Sequence, residues 1–212
     1  MKRGFNSHPS FWFRFSLEQI SRHIEAVETL LEKEAEDLVI KVDQQAKELK
    51  SEEARGEYFE FMGDDIWELQ DLFPQMQRQA SLMAAISVAE VELNKLCDYV
   101  AKKKSQRIKV ADLKGTGLFR AKTFLSRIVC IKESWEGSAW QEVRRATEIR
   151  NSFVHNEGSV ERKDIVDYVS KSPHLSKSST SKIMLEKTYA PFVLGQIKSL
   201  YESVVNEMEK AL

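Results

Sequence analysis

Leu17, Ile20, Ile24, Val27, Leu31, Ala35, Leu38, Val42, Ala46 and Leu49 recur at steps of three and four residues. That period belongs to one stripe of an α-helix and to no strand. It predicts a helix of about 35 residues, roughly 50 Å long at 1.5 Å per residue. Ser16-Leu17-Glu18-Gln19, a serine followed three residues later by a glutamine, reads as its capping box. A helix this long belongs in a bundle or in a two-stranded packing between subunits. The bundle is favoured, because the chain supplies other helices to pack on it.

Few residues interrupt those helices. Eight glycines and four prolines in 212 residues leave little to break a helix. A helical stretch over 57–72 carries Phe61, Trp67 and Leu69, and Phe73-Pro74 is expected to end it. Over 76–101, Leu82, Ile86, Ala89, Leu93, Leu96 and Val100 share one face, with Glu90 and Asn94 on the stripe beside it. This helix reads as the most buried one, so those two polar side chains need partners. Residues 110–117 read as a loop. Its two glycines lack the Gly-Lys-Ser/Thr ending of a phosphate-binding loop. Shorter helices follow, over 118–131 and 138–155, the latter stopped by Asn156-Glu157-Gly158. Ile165, Val166 and Val169 mark a short amphipathic turn within the irregular stretch 159–182. Ser- and Lys-rich 170–182 reads as a mobile loop, 183–185 as briefly extended, and 189–210 as a final helix.

The hydrophobic content of 42 % is enough for a core, so global disorder is not expected. No second composition regime appears, and 1–212 reads as a single all-α domain, an up-and-down helical bundle. Residues 1–15 form an aromatic arm on it that packs against the domain or a partner subunit. No apolar run approaches the roughly 18 residues of a membrane span, and the N-terminus lacks the features of a signal peptide. Cys97 and Cys130 both sit in apolar helical contexts and read as reduced core residues, consistent with a cytoplasmic protein. No Cys/His spacing fits zinc. No cofactor, metal or membrane partner is expected.

The net charge of −1 excludes a polycation, so nucleic-acid binding has to come from a local patch. Lys102, Lys103, Lys104 and Arg107 form one basic run. It either contacts phosphate or simply lies in solvent at a helix C-terminus. The densest chemistry lies in Arg150-Asn151-Ser152-Phe153-Val154-His155. Gln141, Arg144, Glu148, Asn151 and His155 are spaced three and four apart and form a polar stripe, with Arg150 one row round. Cleavage of an RNA phosphodiester needs a group that exchanges protons near neutral pH and fixed charge on the phosphate. Histidine supplies the first and arginine the second. The plainer reading is that both residues only satisfy the end of their helix.

The segment Glu148-Ile149-Arg150-Asn151-Ser152-Phe153-Val154-His155-Asn156-Glu157-Gly158 resembles the signature of HEPN-domain proteins. That signature is an Arg, a polar residue and then a His four to six residues on. Here four residues intervene, and Asn151 is the polar one. Residues 73–97 also look like a bacterial branch of that group. The resemblance implies a helical bundle that pairs as a homodimer and brings two motifs into one cleft. It implies a metal-independent endoribonuclease of a toxin–antitoxin or antiviral defence system, with RNA as substrate and a cognate antitoxin or defence protein as partner. By carry-over, His155 moves the proton, Arg150 binds the scissile phosphate and Asn151 assists. Glu90, Glu148 and Arg144 are supporting residues, Glu90 as a structural pair. Some members carry a tyrosine two residues after the histidine that a partner enzyme modifies. Glu157 stands there, so that form of control is not expected. The alternative is a non-catalytic module of the same type that binds RNA or protein.

Overall fold

The computed structural model describes residues 9–211. Seven α-helices and one two-stranded hairpin make up the described chain, which is all-α in class. Helix α1 (Pro9–Glu48) runs 40 residues, about 60 Å. It starts earlier than its sequence stripe predicts, and Ser16 lies inside it rather than at its cap. Phe13 explains the difference. It is fully buried and stacks on Tyr201 at 3.8 Å between ring centroids, so residues 9–15 are drawn in as the first turns of α1. Proline is well tolerated where α1 begins, because its missing N–H has no helical partner there. Residues 1–8 of the expected aromatic arm lie outside the described residues.

Ser51 caps α2 (Glu52–Trp67), its Oγ accepting the Ala54 N–H at 3.1 Å. The stop expected at Phe73-Pro74 does not occur. A single π-helical turn (Glu68–Leu72) joins α2 to α3 (Phe73–Lys103), and Pro74 sits in the first turn of α3. The wider π turn shifts the hydrogen-bond register just ahead of the proline, whose missing N–H then costs little. As its sequence predicts, α3 carries a thoroughly buried face, with Leu82, Ile86, Leu93, Leu96 and Val100 at 0–2 % exposure. It packs on α1, α4 (Gly117–Arg127), α5 (Ser138–His155) and α7 (Tyr189–Ala211), and so forms the axis of the core.

Helix α6 (Lys163–Lys171) buries Ile165 and Val169. Beyond it, the stretch 170–182 expected as a loop contains the last turn of α6 and a short strand. Strands β1 (Leu175–Lys177) and β2 (Ile183–Leu185) pair antiparallel, Leu175 opposite Leu185 and Lys177 opposite Ile183. The intervening serines close the turn. Ser178 N–H donates to Lys182 O, and the Ser178 and Thr180 hydroxyls meet at 3.0 Å. Three apolar residues, Leu175, Ile183 and Leu185, are buried and anchor the hairpin. Gln75 clasps Leu185 in both directions, amide to carbonyl at 2.9 Å and backbone N–H to amide oxygen at 3.0 Å. Arg78 donates to the same carbonyl and forks onto Glu28 of α1 at 2.8 and 2.9 Å. Cys97 is buried as expected. Cys130 is exposed and sits just past the end of α4, where the chain turns through a positive φ.

Candidate functional site at the end of α5

Trp140, Val143, Ala146 and Ile149 hold the inner side of α5 at 0–2 % exposure. The outer sides therefore present its polar residues in fixed directions. The last turn is closed by glycine. Gly158 has φ +81° and donates to Ser152 O at 3.0 Å, while Asn156 N–H donates to the same carbonyl at 2.8 Å. The Ile183 N–H of β2 donates to Gly158 O at 3.0 Å. The hairpin is thus tied to the turn that follows His155, which its serine-rich sequence does not announce.

A shallow cleft of about 230 Å³ opens beside this turn. Glu148, Asn151, Ser152 and His155 form its α5 wall, with Ser159, Arg162 and Ile165 opposite. His155 is exposed, and among the described residues neither its ring nor the Asn151 amide has a hydrogen-bond partner. Both side chains are free to meet a ligand. Across the cleft, Arg162 forks onto Asp164 at 2.6 and 2.9 Å and reaches Glu148 at 2.9 Å. The Arg162 guanidinium holds the Asp164 carboxyl down, to about 2. Arg144 stands 4.0 Å from Asp164. Of the expected residues, then, Asn151, His155, Glu148 and Arg144 share one side of α5.

Arg150 does not join them. It leaves the helix about 140° round from His155 at 100° per residue. Its Nη2 meets Glu90 Oε1 of α3 at 2.9 Å. The sequence asks for a partner for Glu90, and Arg150 is that partner. The Glu90 carboxylate also lies against the start of α4. A Cβ on Gly117 would come within 2.4 Å of Glu90 Oε1, and Gly117 has φ +52°, so a side chain there would be strained and would push the Glu90 carboxylate aside. Arg150 Nε is buried and keeps no hydrogen-bond partner. Asn94, on the same stripe of α3 as Glu90, likewise leaves its Oδ1 buried without one.

No protein-family model, curated protein or solved structure matches this chain.

The basic run Lys102, Lys103, Lys104 and Arg107 sits at the C-terminal end of α3. Lys102 lies about 18 Å along α3 from Glu90, twelve residues at the helical rise. Between them α4 adds cations that the sequence reading passed over. Lys122 Nζ sits 4.7 Å above the Trp140 ring, and burial together with the charge of Arg144 lowers its pKa. Arg120 and Arg127 lie on the same helix. The signal was present, because Leu118, Ala121 and Leu125 bury one face of α4 and leave its cations on the others. Arg162 was missed because its stretch looked irregular. Among the described residues no group of three His, Cys, Asp or Glu is placed to hold a metal, and no helix is long and apolar enough to cross a membrane.

Proposed function

We propose that the protein is a metal-independent endoribonuclease of the HEPN type, acting within a toxin–antitoxin or antiviral system as a homodimer. The observation that carries this reading is the end of α5, where an exposed, unpartnered His155 stands beside an equally free Asn151. His155 takes the proton from a ribose 2′-hydroxyl, whose oxygen attacks the adjacent phosphate. The bond from phosphorus to the 5′-oxygen breaks, and that oxygen leaves with a proton from water or from the imidazolium, giving a 2′,3′-cyclic phosphate and a 5′-hydroxyl. Asn151 orients the ring or donates to a phosphate oxygen. An arginine neutralises the charge that grows on the phosphate. Arg150 points away from His155 of its own copy, so the reading assigns it to the His155 of the second copy. Lys102, Lys103, Lys104 and Arg107, with the cations of α4, hold the flanking RNA backbone.

Subunit mixing tests this assignment. Arg150→Ala and His155→Ala homodimers are expected to be inactive on RNA in the presence of a chelator. Mixed dimers carry one intact composite site in two, so an equal mixture regains roughly a quarter of wild-type activity. No recovery, with mixed dimers confirmed by mass, places both residues in one copy or outside the reaction.

A second reading has its own observation. The Arg150–Glu90 pair already neutralises the arginine that the reaction needs. A module that binds RNA or protein without cleaving it would keep that pair as structure. It predicts RNA association that survives His155→Ala and yields no shortened product.

A further inference from the structure

Helix α2 contains no buried residue. Ala54, Tyr58, Met62 and Ile66 form its half-buried row, and Tyr58 Oη donates to Gln45 Oε1 of α1 at 2.5 Å. Away from that row, Gly56, Phe59, Gly63 and Trp67 follow at steps of three, four and four, one stripe about 16 Å long. Phe59 is 44 % and Trp67 52 % exposed. Both glycines face open space, with nothing within 4 Å of where a Cβ would stand. A glycine in a helix interior is destabilising, and among the described residues nothing fills the space a side chain would take at these two. Gly63 leaves a notch between the two large rings and Gly56 a second one on the far side of Phe59, each open to the approach of another backbone.

The charge around the stripe selects what approaches. Residues 52–72 hold eight acids against the single base Arg55. Among the described residues none of those acids has an ion-pair partner. Arg55 is itself turned back onto Leu49 O at 3.2 Å. Such a face repels RNA and anionic lipid. It repels the same face of a second copy for the same reason. Contact with the basic run of a second copy would join unlike surfaces head to tail, which closes only where the rotation between copies completes a ring and otherwise runs on as a filament.

We propose that α2 is the docking surface for a basic amphipathic helix of a partner protein. The partner lays apolar side chains on either side of Phe59, over Gly56 and over Gly63 before Trp67, and sets lysines or arginines against Glu52, Glu60 and Asp64. Helices recognise one another in this way through apolar anchors at i, i+3 and i+7.

A synthetic helix of about 18 residues, leucine at those positions and lysine elsewhere, serves as the probe. Its binding is measured by titration calorimetry and by the fluorescence shift of Trp67, with Trp67→Phe assigning that signal. Gly63→Leu projects a side chain into open space, so the fold is kept while the notch is filled. The expected result is binding that falls at least about tenfold in Gly63→Leu and in Trp67→Ala, with unchanged far-ultraviolet dichroism. A peptide with glutamate in place of lysine, single-stranded RNA and phosphatidylserine vesicles are expected to show no dependence on either variant. Equal binding of the lysine peptide by wild type and Gly63→Leu would overturn the proposal. So would RNA or vesicle binding that the same variants abolish. Dissociation of the wild-type oligomer by Gly63→Leu would assign the surface to a second copy instead.

Discussion

Replacing Gly158 by alanine asks how firmly the turn behind His155 is held. The geometry sets two costs. A residue with a Cβ at φ +81° pays about 1 kcal/mol for the left-handed backbone. Its Cβ would also stand 2.9 Å from Phe153 Cε1 and 3.1 Å from Cδ1, so the ring must turn. Phe153 is only half-buried, and displacing it adds about 1 kcal/mol. Alanine restricts the unfolded chain and returns about 0.5 kcal/mol. The net is a loss of about 1.5 kcal/mol, or a fall in Tm of roughly 3–6 °C for a chain of this size. Scanning calorimetry on three variants separates the two costs. Gly158→Asn relieves the backbone cost, because asparagine tolerates this region, and so melts above Gly158→Ala. Phe153→Leu combined with Gly158→Ala relieves the clash, with a coupling of about 1 kcal/mol relative to the two single changes. A Gly158→Ala protein melting within about one degree of wild type would refute the account of this turn.

Glu207 accepts the backbone N–H groups of Lys132, Glu133 and Ser134 and the Ser134 hydroxyl, joining α7 to the turn before α5. Burial raises its pKa, but these four bonds outweigh burial and leave it below the usual range. Its contribution is therefore present above the ordinary glutamate pKa of about 4.3 and is lost as pH falls through the lower folded value. Glu207→Gln should cost about 1–2 kcal/mol at pH 7, shrinking toward zero in the acid limb of a urea-unfolding series. Leu96→Ala, at 0 % exposure in the middle of α3, should lose about 3 kcal/mol in the same assay. Glu90→Gln releases Arg150 and should steepen the salt dependence of RNA binding by about one unit of log–log slope, read by fluorescence anisotropy. Replacing Lys102, Lys103 and Lys104 together by alanine should flatten that slope by about two.

The helices were legible because apolar spacing at three and four residues survives any tertiary context. Leu17 to Leu49 and Leu82 to Val100 needed nothing else. Boundaries failed where packing overrode local chemistry. Phe13 extends α1 past Ser16 because it is buried on Tyr201, a residue 188 positions away. Pro74 fails to stop a helix because the preceding π turn shifts the hydrogen-bond register and leaves Pro74 in the first turn of α3, where its missing N–H costs little. Of the hairpin over 175–185, the second strand was legible as the extended run 183–185. Its partner 175–177 was hidden because it is three residues long and the anchors of the pair are tertiary, Gln75 and Gly158. The site divides in the same way. Asn151 and His155 were found together because i and i+4 share a helical face. The direction of Arg150 depends on Glu90, sixty residues earlier, and no local pattern records it.

The most direct measurement is the single-turnover cleavage of a short RNA in a chelating buffer at pH 7, wild type beside His155→Ala. General acid–base catalysis by one histidine is worth about 10²–10⁴ in rate. The proposed chemistry predicts products ending in a 2′,3′-cyclic phosphate, formed at least about a hundredfold more slowly by a folded His155→Ala protein. Equal rates for the two proteins, or intact RNA after incubation with either, would contradict it.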